Sequence, residues 1–339
     1  MKTQPPARSR VLPPHLPTLG AVCFTVFAWA SAFVSIRSAG AAYSPGALAL
    51  GRLLAASLVL VALLLLRREG LSPRGARRGI LLSGLVWFAG YTVALNWGER
   101  LVDAGTASLL VNTGPILMAL LAARLLGEAL PPRLVAGMAV SFVGAVVVGL
   151  SMSSGGDGTT SVLGVVLCLL AAVAYATGVV AQKPALSYGT PLQITTYSCL
   201  TGTAACLPFA GQLAAEVPKA PLSATLNMLY LGVVPTALAF TTWTFALARM
   251  PAGKLGATTY AVPAIVVLLS WILLGEVPAW LTLLGGLLCL AGVAVSRYRP
   301  RPPRVPAAPA DEEPRTGGHA GPRGGYEPCG TGAPRKRQR

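Results

Sequence analysis

The chain has 339 residues, 54% of them hydrophobic and only 11% charged, far from the balance of a soluble globular domain. A formal net charge of +16 invites a nucleic-acid reading, but the basic residues are spread over loops and a tail, where they report on topology instead. The apolar residues gather in runs of about 20, enough to cross a hydrocarbon core of about 30 Å at roughly 1.5 Å per residue.

Residues 1–17 read as a short cytoplasmic lead containing Pro, Arg and Lys. Ten predicted spans follow, at 18–36, 46–66, 79–97, 104–124, 132–151, 162–182, 191–210, 224–247, 254–274 and 279–296. None alternates apolar and polar residues as a barrel strand does, so the predicted class is an all-α membrane protein with ten transmembrane helices. The first run, with the small residues from Ser38 to Ala42 behind it, resembles a signal peptide. Its length and its counterpart later in the chain assign it to the fold. Residues 152–161, rich in Ser and Gly, form a predicted external linker. Residues 298–339 are basic, rich in Pro and Gly, and carry an acidic patch from Asp311 to Glu313; they read as a disordered, solvated cytoplasmic tail.

With the N-terminus inside, the inner segments before the tail hold thirteen Lys and Arg residues, Lys2 to Lys254, and the outer segments hold Arg37, Arg100 and Lys219. This bias places both termini in the cytoplasm. Cys23, Cys168, Cys199, Cys206 and Cys289 fall within spans, Cys329 falls in the tail, and His15 and His319 lie outside the membrane region. The cysteines read as small hydrophobes, and no cofactor or metal is expected.

The stretch from Ala104 to Val147 returns 148 residues later: Ala104/Ala252, Gly105/Gly253, Pro115/Pro263, Gly127/Gly275, Glu128/Glu276, Gly137/Gly285 and Gly144/Gly292 coincide. At an offset of 146, Ala28-Trp29-Ala30 meets Ala174-Tyr175-Ala176, Arg37 meets Lys183, and Pro45 meets Pro191. Each repeat, 18–151 and 162–297, thus holds five spans. An odd number forces opposite orientations, the inverted-repeat condition, with the site at the interface of the halves.

Asn96-Trp97, Ala107-Ser108-Leu109, Pro115 and Leu126-Gly127-Glu128, followed by Tyr230-Leu231-Gly232, Trp243, Ala246-Leu247, Pro263 and Leu274-Gly275-Glu276, resemble the EamA-type drug/metabolite transporters. Trp29 through Phe33 and the Pro45 to Leu53 segment resemble that family's first two helices. The resemblance implies a ten-helix carrier of the bacterial inner membrane, commonly an exporter of amino acids, metabolites or toxic small molecules.

Pro115 and Pro263 correspond under the repeat and are expected near the middle of the fourth and ninth spans. Each removes a backbone hydrogen bond and loosens the carbonyl of Val111 or Thr259. Such matched interruptions point to a transport site or, more plainly, to packing kinks. Asn112, Thr113, Thr258, Thr259 and Tyr260 offer polar groups beside them. Each singly is also a candidate for helix–helix hydrogen bonding, worth about 0.6 kcal/mol in membranes. Trp29 and Phe33, and Trp87 and Tyr91, are spaced to share a helix face. With Tyr175 and Trp243 they suit a cavity for amphipathic solutes. Trp97 and Trp280 read as interfacial anchors. Arg52, the only basic residue well inside a span, is a candidate for binding a carboxylate, for snorkelling outward, or for pairing with Glu99 or Asp103. Glu128 and Glu276 read as caps or hinges. No acid lies at mid-span, which argues against carboxylate-coupled transport. The expected partners are a small-molecule solute and the bilayer. A non-transporting scaffold or sensor is the alternative. An intramembrane lipid enzyme lacks its His and acid, so no enzyme is expected.

Overall fold

The computed structural model of the chain describes residues 16–102, 107, 110–153, 161–274 and 280–297. The linker residues 154–160, Asp103, Glu276, the tail from 298 and the side chain of Phe33 lie outside them. Among the described residues all regular structure is helical. Four helices are long and apolar enough to cross a membrane: Pro45–Leu66, Arg74–Leu101, Val162–Ala185 and Leu222–Leu247. Leu16–Ala32, Gly114–Leu126, Pro132–Val148 and Trp280–Ser296 are shorter apolar helices. Large apolar side chains such as Leu58, Leu66, Leu163 and Leu287 are exposed on the outside, as suits helices that face lipid.

In chain order, α1 is Leu16–Gly40, α2 Pro45–Leu66, α3 Arg74–Leu101, α4 Gly114–Leu126 and α5 Pro132–Ser153. Then come α6, Val162–Ala185, α7, Pro191–Cys206, and α8, Leu222–Leu247. Residues 252–274 form α9, and Trp280–Arg297 is α10. Proline opens α2 and α7 at Pro45 and Pro191, where its missing N–H costs nothing. At α7, Thr190 and Gln193 add a reciprocal capping box. Gly127 ends α4 in the left-handed region at φ 66°, a conformation that suits glycine.

The helices of each half pack chiefly on the other half, and the pairings survive exchange of the halves. The contact of α1 with α8 is matched by α6 with α3, that of α2 with α8 by α7 with α3, and that of α1 with α9 by α6 with α4. The pairs α2–α7, α4–α9 and α5–α10 map onto themselves. Single residues repeat the pattern. A methyl group on Gly84 would stand 2.6 Å from the Ser198 carbonyl oxygen, and one on Gly232 would stand 2.5 Å from that of Arg52. Gly84 corresponds to Gly232, and Arg52 to Ser198, under the two offsets.

The α5–α10 seam is a close approach of two backbones. Gly137 lies against Gly292 and Gly144 against Gly285, so the two helices run antiparallel where they touch. Between these pairs Ser141 Oγ donates to the Cys289 carbonyl at 3.0 Å, while Cys289 Sγ donates back to the Ser141 carbonyl at 3.5 Å. Small residues let backbones approach in this way where lipid supplies no hydrophobic drive.

Gly144→Ala should therefore destabilise the protein by about 1–3 kcal/mol, because the added methyl meets backbone and not a movable side chain. It would lie 2.5 Å from the Cys289 nitrogen and 2.6 Å from the Gly285 oxygen. Gly286→Ala on α10, the other helix of the seam, is the control, since its methyl finds Ala264 Cβ at 3.6 Å. Thermal unfolding in detergent should show a lowered Tm for the first and an unchanged or raised Tm for the second.

Candidate functional site

Helical regularity fails at matching places in the two halves. In α3 the segment Ser83–Tyr91 is wound as a π-helix, and in α8 the segment Gly232–Leu238 is too. The offset of 148 carries 84–90 onto 232–238. A π turn puts an extra residue into the ladder and frees a carbonyl for other donors. In α8 those donors are side chains. Trp29 Nε1 donates to the Pro235 carbonyl at 3.1 Å, and Thr236 Oγ1 donates to the Leu231 carbonyl five residues back at 2.8 Å.

The second pair of interruptions precedes the prolines. Thr113 and Asn112 form a turn before α4, and Ala257–Tyr260 is a 3-10 segment within α9. Pro115 therefore lies in the first turn of α4 and Pro263 three residues into Ala261–Leu274, so neither sits in the middle of a regular helix as the sequence had implied. A proline is tolerated in a first turn because its missing N–H would be unpaired there anyway.

A cavity of about 80 Å³ opens among these segments. One buried water needs roughly 10–15 Å³ of such space, so it holds several waters or one small solute. Its walls come from α1 (Trp29, Ala32, Ile36), α2 (Arg52), α3 (Trp87, Tyr91, Leu95), the turn before α4 (Val111, Asn112, then Pro115), α6 (Tyr175), α8 (Phe240) and α9 (Thr259, Val262). Trp29/Tyr175 and Val111/Thr259 are repeat-related pairs.

The aromatic rings form one connected wall. Trp87 stacks on Phe240 at 4.5 Å with 12° between planes, and Trp29 meets Phe240 edge-on at 5.6 Å. Tyr175 links Trp29 at 6.2 Å to Tyr91 at 6.0 Å. Each such pair adds about 0.5–1.5 kcal/mol beyond burial, so the wall is rigid as well as apolar. Among the described residues Arg52 is the only charged one in the lining. It is 4% exposed, and its Nε donates to Thr236 Oγ1 at 2.9 Å. It is thus held inside the protein and does not snorkel. The Glu99 carboxylate and the Tyr91 hydroxyl lie within electrostatic reach of it.

The EamA-like transporter family matches residues 17–150 and 162–298, nearly all of both halves. The chain belongs to that family. A protein of Streptantibioticus cattleyicolor described as a "Probable terminal-alkyne amino-acid exporter" is 37% identical, over 82% of this chain and 93% of its own length. The "Uncharacterized transporter YdfC" of Bacillus subtilis is 34% identical, over 78% of this chain and 86% of its own length. A solved crystal structure with 25% identity covers 83% of this chain and 98% of its own, with a TM-score of 0.69. This EamA-like protein is a multi-pass membrane transporter that handles small-molecule solutes.

In this EamA-like transporter the structure brings together Trp29, Trp87, Tyr91, Asn112, Tyr175, Thr259, Pro115 and Arg52 from the residues singled out by sequence. It leaves others outside the lining. Trp243 is fully buried behind the wall, 4.8 Å from Trp29. Thr113 and Thr258 turn their hydroxyls onto their own backbone, to Leu110 and Leu255, each at 2.7 Å. Pro263 is buried away from the cavity. Tyr260 packs in a separate cluster with Ala119, Met138 and Cys289, because the tight 3-10 winding turns its side chain toward α5 and α10. Phe240, Leu95, Val262, Ala32 and Ile36 were missed. Phe240 had a signal, since it lies three residues before Trp243.

Asn112→Ala and Tyr260→Phe separate the sequence pairing from the geometry. Removing one polar lining group should weaken binding of a transported solute by roughly two- to tenfold. Tyr260→Phe should leave affinity within about twofold and Tm unchanged or raised, since a buried hydroxyl without a partner contributes no net stability. The Tyr260 hydroxyl has no hydrogen-bond partner among the described residues. Ligand titration and thermal unfolding of the purified variants check both.

Proposed function

We propose that the chain is a carrier of the bacterial cell membrane, with ten spans, both termini cytoplasmic and two five-span repeats in inverted orientation. It exports small amphipathic, amino-acid-like metabolites by alternating access around the central cavity. The observation that carries this reading is the cavity's lining: it draws repeat-related residues, Trp29/Tyr175 and Val111/Thr259, from both halves. A site on the axis that exchanges the halves is reached from either side when they rock. The antiparallel α5–α10 seam supports the inverted orientation.

The aromatic wall suits an apolar body, and the polar side around Asn112, Arg52 and Thr259 suits a polar end. The described relative named as an amino-acid exporter supports that solute class. One end of the molecule carries a closure between halves. Glu128 pairs with Lys183, and its carboxylate accepts from the backbone N–H groups of Ala252 at 3.0 Å and Gly253 at 3.3 Å. Lys183 Nζ also donates to the Met250 carbonyl at 2.9 Å. The Lys/Arg bias assigns this end to the cytoplasm.

Reconstitution into liposomes preloaded with an unlabelled amino acid tests the reading by counterflow. Labelled leucine, valine or phenylalanine should accumulate transiently, at rates well above protein-free vesicles. Folded, correctly inserted protein that exchanges none of a broad set of amino acids and their derivatives would leave the scaffold or sensor reading in its place.

A further inference from the structure

We propose that Arg52 anchors a carboxylate of the transported solute, with the Tyr175 hydroxyl as a second hydrogen-bonding group in the lining of the same cavity. This names the group recognised at the export site and rests on that reading.

Among the described residues Arg52 is the only charge in the lining, and the Glu99 carboxylate that acts on it lies outside that lining. The electrostatics of the cavity therefore favour a solute with negative charge at its polar end. A buried guanidinium needs a counter-charge or a full set of acceptors. Among the described residues its hydrogen bond is the one from Nε to Thr236 Oγ1. Glu99, near the C-terminal end of α3, acts on it electrostatically without a hydrogen bond to it. Thr236 spends its own proton on the Leu231 carbonyl, so its oxygen offers only a lone pair, and the guanidinium plane is fixed by that acceptor. A guanidinium held through Nε still presents the Nη fork, which matches the two oxygens of a carboxylate side by side.

The second observation is independent. Tyr175 lines the same cavity and is 6% exposed, and among the described residues its hydroxyl has only the Thr259 side chain, itself bonded to the Gly256 carbonyl, as a neighbour, with no hydrogen bond of sound geometry between them. Buried hydroxyls left without a partner are rare and call for one. A solute oxygen in the cavity supplies it. The stacked Trp87 and Phe240 rings, with Trp29 edge-on, then receive the apolar body, and an ammonium group, where the solute has one, meets ring faces.

Three probes sharing one apolar body test this on the purified full-length protein by tryptophan fluorescence titration: leucine, 4-methylpentanoate, which lacks the ammonium, and leucinol, which lacks the carboxylate. Wild type should bind both carboxylates at least about tenfold more tightly than leucinol, as expected for a lost bidentate charge-assisted contact. Arg52→Gln should abolish that preference with leucinol affinity little changed. Arg52→Lys should keep part of it, since the charge remains and the fork does not. Tyr175→Phe should weaken the carboxylates severalfold. Where Arg52→Gln does not fold, Thr236→Val serves, since it releases the guanidinium from its acceptor; a severalfold loss for carboxylates alone is expected. Undiminished carboxylate preference in Arg52→Gln, or in Thr236→Val when only that variant folds, overturns the assignment. Tighter binding of leucinol by wild type, with leucinol exchanged in proteoliposomes, overturns it and leaves export standing. Absence of binding and exchange for all three probes overturns both.

Discussion

Inside a bilayer no water is available to a peptide group, so each N–H and C=O must be satisfied within its own helix or by a neighbour. The rest of this structure follows from that constraint and from the places where it is relaxed. Regular helices carry the molecule through the apolar layer. Irregular backbone gathers around the cavity, in the π segments of α3 and α8, the turn before α4 and the 3-10 stretch of α9. The groups freed there are bonded by side chains that also shape the site. Trp29 satisfies Pro235, and Thr236 satisfies Leu231 while holding Arg52. Loosened backbone and binding surface are thus one feature, and a substitution that straightened the helices would also disperse the lining.

Because each half packs chiefly on the other, the motion that the proposed alternating access requires has few places to occur. The α5–α10 seam has backbone against backbone at Gly137/Gly292 and Gly144/Gly285, with Ser141 and Cys289 hydrogen-bonded across it between them. It suits a pivot. The Glu128 closure is of another kind: a carboxylate, an ammonium and two N–H groups at the ends of helices, which can separate and be rehydrated without breaking a packed core. The sequence reading took Glu128 for a cap or hinge, and its bonds to Ala252 and Gly253 give that role a physical form.

Much of the architecture was legible because membrane spans are written in composition and repeats in rare residues. Matched Pro, Gly and Glu at one offset located the halves, and the Trp29/Tyr175 match placed two cavity residues on different helices. What the sequence hid is local winding. The offset equates Asn112 with Tyr260, yet the first stands in a turn facing the cavity and the second ends a 3-10 segment facing α5 and α10. Correspondence in sequence does not fix the angle at which a side chain leaves an irregular helix. The π segments were equally unseen, although Gly84 and Gly232 match at the same offset and each lies against a helix of the opposite half. Two glycines at corresponding mid-span positions, with Pro235 close behind one of them, were the available sign.

In the proposed cycle the halves part at the Glu128–Lys183 end while the glycine seam stays closed. Distance measurement by electron–electron resonance tests this directly in lipid nanodiscs. One spin-label pair would sit at the exposed positions Leu125 and Tyr188 near the closure, another at the exposed Val143 and Leu287 on the seam helices. The first pair should show two distance populations whose ratio shifts when a transported solute is added, and the second a single distribution that does not move. A single, solute-insensitive distribution for the Leu125/Tyr188 pair, in protein that carries out solute exchange, would contradict the cycle.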